Sequence, residues 1–240
     1  MISTQAEIDR LYMLLQLRSE PILSRYGRIP TLRDLHSPRT TMGTKGVYFL
    51  FEPGECRSNL AAQRIIRVGS HRSQRASIES RIAEHATDWG RSVFRRHVGT
   101  ALIRKGDFDA AIQVADRDRW AALWFERFNG WAVHHRRARL HPTLHPLHPI
   151  VTRAIAEMSA VWVEIRDQAA RLELERQCIR LLSNYLHHDK QVEPPSDTWL
   201  GYYALSEKVR KSGLWNVQHV GRPHATGFLD SFQKYFHPAE

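Results

Sequence analysis

The sequence predicts an α+β fold: a small central, mostly antiparallel sheet of about three strands, flanked by helices, with extra helical and loop elements at both ends. Two patterns carry this expectation. Short apolar runs at 47–51, 64–68 and 161–165 have the length of strands, the first bounded by Gly46 and Glu52-Pro53-Gly54 and the second ended by Gly69. Longer stretches, at 73–86 and 168–186, repeat apolar residues with the period of a helix. A third observation supports a sizeable core, because hydrophobic residues make up 42% of the 240.

The elements follow in order. Thr4 with Glu7 reads as a capping box, and Leu11, Leu14 and Leu15 against Arg18 give an amphipathic helix over 7–18 that Pro21, Gly27 and Pro30 end. Its apolar face packs on the core or forms an interface in a homodimer. Residues 31–44 read as loop. The strand at 47–51 begins after Gly46 and ends in a turn at Glu52-Pro53-Gly54; the strand at 64–68 ends at Gly69. The segment between them is long for a hairpin loop. Helices are expected at 73–86, 93–104 and 120–128. His134, His135, Arg136 and Arg137 follow, then a His-Pro repeat through His141, His145 and His148 in which prolines forbid regular structure. A helix at 151–158, a strand at 161–165 and a helix at 168–186 complete the core. The tail after Pro194 is loop-rich, with Trp199, Tyr202, Tyr203 and Trp215 as aromatic anchors and a last helical piece at 228–236. This divides the chain into an N-terminal extension (1–44), a core (45–186) with an insertion at about 106–150, and a C-terminal extension (187–240) that packs on the core.

Charge narrows the function. Thirty-five Lys and Arg against 25 Asp and Glu give a net charge of +10, which favours a polyanionic partner, nucleic acid before an acidic membrane surface. Two cysteines, Cys56 and Cys178, make neither a disulfide framework nor a zinc site by themselves. The start shows no signal peptide, and no apolar stretch is long enough to span a bilayer, so a cytoplasmic protein without a membrane partner is expected.

Helical geometry separates candidate site residues from background. On the 73–86 helix, Ile78 and Ile82 define a buried stripe; His85 falls within it and Arg81 on its edge. Either the pair serves a site, or His85 is a satisfied core histidine beside an arginine whose stem packs while its head reaches solvent. On the 168–186 helix, Leu172, Ile179 and Leu182 share a face from whose middle Glu175 projects, whereas Glu173 lies beside Arg176, Gln177 and Arg180 on a solvated side. A carboxylate on an apolar face needs a partner or a metal, so Glu175 is either a ligand or half of a buried salt bridge, with Arg81 as one possible mate. Tyr48, taken alone, reads as a packed aromatic.

In their order these residues resemble the GIY-YIG nuclease superfamily. Gly46-Val47-Tyr48 stands for the first signature triplet and Arg67-Val68-Gly69 for the second; Arg81 matches the helix arginine, His85 the histidine one turn later in restriction-enzyme members, Glu175 the metal-binding glutamate and Asn184 the asparagine that follows it. The blocks 94–99, 181–183 and 212–216 also resemble longer bacterial members. The resemblance implies a metal-dependent endonuclease acting on DNA, double-stranded in the first instance, with Mg²⁺ or Mn²⁺ at Glu175 and a setting in restriction or phage defence. It implies catalytic roles for Tyr48, Arg67, Arg81, His85 and Glu175. Lys45, Arg72, Arg75, Arg95, Arg96 and Asn184 are candidate nucleic-acid contacts. Two departures stand out: Arg67 replaces the family tyrosine, and the 106–150 region is long. An arginine cannot act as a base at neutral pH, but it can clamp a phosphate oxygen.

Two other readings compete. A GIY-YIG-like module that binds nucleic acid without cutting it draws support from Arg67. A transition-metal site at the His-rich loop has little, because the His-Pro repeat lacks the ordered ligand spacing zinc requires.

Overall fold

The computed structural model describes residues 3–35, 44–57, 62–71, 73, 76–87, 92–106, 116–127, 144–187 and 189–237. Three antiparallel strands, β1 (Gly46–Cys56), β2 (Gln63–Gly69) and β3 (Ser159–Glu164), form one sheet in the order β2-β1-β3. Among the described residues, nine helices surround it: α1 (Thr4–Tyr26), α2 (Leu32–Leu35), α3 (Ile78–Thr87), α4 (Val93–Lys105), α5 (Arg117–Arg127), α6 (Leu147–Ala156), α7 (Gln168–Leu182), α8 (Glu207–Ser212) and α9 (Phe228–Phe232). The α+β expectation is met. No helix among the described residues is long and apolar enough to cross a membrane.

The strand β1 is central, and every residue from Gly46 to Phe51 is buried, so helices cover both of its faces. Its register sets Tyr48 opposite Gly69 on β2 and Trp162 on β3. The two signature triplets thus lie side by side. The free edge of β2 is capped by the C-terminal segment: Trp215 donates its backbone N–H to the Ile66 carbonyl, and the Asn216 side chain bonds both N–H and C=O of Val68. Such a cap removes the exposed ladder that an edge strand otherwise presents. Beneath the hairpin, Arg64 is completely buried and grips Glu55 through Nε and one terminal nitrogen. Its other terminal nitrogen bonds the Gly213 carbonyl at 2.7 Å, tying the hairpin to the C-terminal segment.

Several boundaries differ from expectation. The first helix is capped by Ser3, not Thr4, and runs through Pro21 to a left-handed Gly27, whose N–H closes on the Leu23 carbonyl. Its apolar residues Ile8, Leu11, Leu14, Leu15 and Ile22 are buried in the core, so that face is not left for a dimer contact. The strand β1 continues through Glu52-Pro53-Gly54 to Cys56 by way of register shifts instead of turning there, which shortens the hairpin connection. The third helix begins at Ile78, five residues later than expected, where the Ser77 and Ser80 side chains cap one another's backbone. Pro149 does not break α6, because it sits in the first turn, where its missing N–H has no intrahelical partner to lose. The helix α7 ends at Leu182, and 184–186 form a separate 3₁₀ turn.

Candidate active site

One cleft of about 880 Å³ gathers residues from β2, α3, α7 and the C-terminal segment. Arg67, Arg81, His85 and Glu175 line it, together with Ser70, His71, Arg176 and the stretch Trp215 to His219. Four of the five expected catalytic side chains therefore meet in one place.

Tyr48 does not line the cleft. It is fully buried, and its hydroxyl lies 2.8 Å from His85 Nε2. The ring crosses directly over Gly69, where a Cβ would fall 2.3 Å from the phenol oxygen. Glycine at the end of the second triplet is therefore a steric requirement of the Tyr48 pose. His85 is buried in turn, with its other ring nitrogen, Nδ1, 2.8 Å from the Ser92 hydroxyl and its ring edge-on to Phe94. Burial, reinforced by Arg67 and Arg81, holds His85 well below the ordinary imidazole range, so it is neutral.

Glu175 is half-buried and accepts a hydrogen bond from Ser70. It makes no ion pair with a described residue; Arg81 pairs instead with Glu84, which removes the Glu175–Arg81 salt bridge as an alternative. Glu173 pairs with Arg176 and Gln177 as expected, but their side is only part-solvated: Gln177 is buried and Arg176 lines the cleft. The face of α7 that carries Leu172, Glu175 and Ile179 forms the cleft wall, while the deepest contacts come from Leu174, Cys178 and Leu181. Arg67 rests its guanidinium 4.8 Å from the Phe94 ring centre and donates to the Trp215 carbonyl at 3.2 Å. The Nε atoms of Arg67 and Arg81 are buried and have no hydrogen-bond partner among the described residues.

The proposed nucleic-acid contacts fare differently. Arg95 is buried and turned inward, bonding the Ala86 and His148 carbonyls and the Thr152 hydroxyl, so it knits α3, α4 and α6 together and is withdrawn from the surface. Asn184 is buried too, and its amide clasps the backbone of Val192 and Glu193; it is not in the cleft. The asparagine in the cleft wall is Asn216. Arg96 is half-buried over the Phe125 ring. Lys45, half-buried, lies close enough to His71 to act on its charge. Arg72 and Arg75 lie outside the described residues, as do His134, His135, Arg136, Arg137 and His141. Among the described residues, no three His, Cys, Asp or Glu form a metal cluster.

Sequence reasoning missed Ser70, His71, Ser92, Arg171 and the 215–219 wall. His71 donates from Nδ1 to the Ser73 carbonyl at 3.0 Å, which leaves a bare Nε2 with no partner among the described residues. Arg171 is buried and bonds the carbonyls of Ile165 and His71, fixing the ends of β3 and β2 against α7. His219 is the one non-glycine described residue in the left-handed region, at φ 68°. The signals for Ser70 and Ser92 were present: one directly follows Gly69, and the other precedes a helix as its N-cap.

The neutral histidines predict acid sensitivity. Burial lowers His97 to about 4 and His148 to about 3, with His85 and His71 moved the same way. Below the unfolded value of about 6.5 the unfolded chain binds protons that the fold refuses, so stability is full above that pH and lost as pH falls through it. Each fully shifted histidine costs about 1 kcal/mol per pH unit below 6.5. The thermal midpoint should drop by several degrees between pH 7 and 5.5; a flat profile would contradict the buried, neutral assignment.

A family model described as a GIY-YIG domain matches residues 2–240. Comparison with curated proteins and with solved structures gave no match. Side-by-side triplets at 46–48 and 67–69, an arginine and a histidine on the next helix, a glutamate on a later one, and a family match across the chain lead to one conclusion: this protein belongs to the GIY-YIG nuclease superfamily.

Proposed function

We propose that the protein is a metal-dependent DNA endonuclease using one divalent cation, Mg²⁺ or Mn²⁺. The observation that supports this best is Glu175: a carboxylate that makes no ion pair with a described residue, in a cleft that also holds Arg67, Arg81 and His85. Ser70 occupies one carboxylate oxygen and no described residue claims the other, which suits a hard cation that keeps most of its waters and takes one or two carboxylates. Such an ion would supply charge neutralisation at the scissile phosphate and its leaving oxygen.

The chain's own residues do the rest. Arg81 and Arg67 donate to phosphate oxygens as negative charge develops there, Arg67 as a clamp in place of the family tyrosine. Phe94 and the Trp215 carbonyl hold the Arg67 guanidinium in place before substrate arrives. Tyr48, buried behind the cleft wall, acts on the proton of the attacking water only through His85, which lines the cleft and bonds its hydroxyl. The net charge of +10 draws the polyanion in, and this attraction weakens with salt. A setting in restriction or phage defence follows from the resemblance, and cleavage of modified against unmodified DNA would test it.

Arg81→Ala should reduce Mg²⁺-dependent plasmid cleavage by about 10²–10³-fold, the usual loss on removing a donor aimed at transition-state charge. Cleavage equal to the unsubstituted protein would overturn this assignment. The competing reading, a binding module, draws on Arg67 alone, since a binding groove has no use for a carboxylate that makes no ion pair with a described residue.

A further inference from the structure

Glu175 enters the cleft on a long, rotatable side chain, whereas a metal ligand works best when it is held in place before the ion arrives. Among the described residues, one side chain holds its carboxylate: the Ser70 hydroxyl, which donates to Oε2. The arginines that share the cleft are engaged with other partners. Arg81 pairs with Glu84 and Arg176 with Glu173, each within its own helix, and Arg67 donates to the Trp215 carbonyl.

Ser70 is suited to this task. Its side chain is short and buried, so little freedom is left to it. Its backbone is fixed on both sides. Gly69 before it is paired with Tyr48 in the sheet, and the carbonyl of His71 after it accepts from Nε and one terminal nitrogen of Arg171, each at 3.4 Å. The other terminal nitrogen of Arg171 bonds the Ile165 and Arg166 carbonyls. Arg171 and Glu175 stand four residues apart on α7, on one face. Two successive turns of that helix thus clasp two successive residues at the end of β2, Arg171 through the His71 carbonyl and Glu175 through the Ser70 hydroxyl. The strand that carries the second triplet is tied in this way to the helix that carries the candidate metal ligand.

We infer that Ser70 is a positioning residue for the cation: its hydroxyl orients Glu175, leaves the other carboxylate oxygen for the ion, and keeps the side chain off the arginines. This rests on the reading of Glu175 as the metal ligand. Ser70 itself takes no part in the chemistry. Without the hydroxyl, Glu175 would be a loose carboxylate in a cleft lined by Arg67, Arg81 and Arg176, and attraction between opposite charges is stronger there than in open water. An ion pair formed that way would claim the oxygens the cation needs.

The test measures Mn²⁺ binding to the full chain by EPR, without DNA, for the unsubstituted protein, Ser70→Ala, Ser70→Thr and Glu175→Ala. Ser70→Ala should weaken the Glu175-dependent site by about 10–100-fold, as loss of a partner that orients a ligand does elsewhere, with the thermal midpoint held. Ser70→Thr keeps the hydroxyl and should bind as the unsubstituted protein does. Undiminished binding by Ser70→Ala, threonine no better than alanine, or a loss of affinity accompanied by a lowered thermal midpoint overturns the inference and leaves the Glu175 site standing. Mn²⁺ binding that does not depend on Glu175 overturns the metal assignment and the inference with it. Affinities as stated, with no DNA cleavage by the unsubstituted protein, overturn the nuclease reading and leave the inference standing.

Discussion

Glu175→Ala should abolish metal-dependent cleavage, with a loss on the order of 10³-fold or more, since a positioned divalent ion contributes several kcal/mol of transition-state stabilisation. Stability should change little, because Glu175 is half-buried, makes no ion pair with a described residue and holds only Ser70. DNA binding should survive, because removing one negative charge from an arginine-lined cleft favours a polyanion. The informative combination is cleavage lost while binding and the thermal midpoint hold. Retained cleavage would mean that the metal, if one acts, is held elsewhere. Glu173→Ala serves as the comparison, since that carboxylate does not line the cleft and is paired with Arg176 and Gln177.

Gly69→Ala is the second large effect, and it contains no chemistry. The added methyl would meet the Tyr48 oxygen at 2.3 Å and the carbon bearing it at 2.4 Å. The phenol has no room to yield: it is fully buried, bonded to His85, and anchored by a residue paired on both sides within the sheet. Overpacking of this kind costs about 1–3 kcal/mol, and a displacement of about 1 Å at reacting groups costs on the order of 10²-fold in rate. A lowered thermal midpoint with cleavage reduced to that extent is expected. Wild-type cleavage by Gly69→Ala would show that the Tyr48 pose is not used.

The sequence made the core of this site legible because helical period and residue chemistry converge there. Ile78, Ile82 and His85 share one stripe, and that stripe is buried. Glu175 and Glu173, two residues apart, divide as their faces require. Arg95 and Asn184 were misplaced for a different reason. A basic pair such as Arg95-Arg96 reads as solvated, but backbone carbonyls left open at the ends of neighbouring helices can draw one guanidinium inward, and no periodicity signals that. Asn184 fitted a chain order, while its geometry is set by the turn at 192–193 that it closes. The 215–219 wall was invisible for a third reason. It reaches the cleft only by pairing with the edge of β2, a contact across about 148 positions, and long-range pairing leaves no local pattern. Helix boundaries moved where capping overrode composition, as with Ser3 at α1 and Ser77 at α3.

Arg67 stands where the resemblance places a tyrosine, and its setting suits a clamp: an arginine that lines the cleft, stacked on Phe94 and tied to the Trp215 carbonyl. The central claim is that this cleft cuts DNA with a divalent ion. The most direct measurement is a Mg²⁺ titration of plasmid cleavage by the unsubstituted protein, with DNA binding followed in the same samples. The account predicts cutting that rises with Mg²⁺, disappears with a chelator and leaves binding in place. Salt-sensitive binding with no cutting at any Mg²⁺ or Mn²⁺ concentration would contradict it.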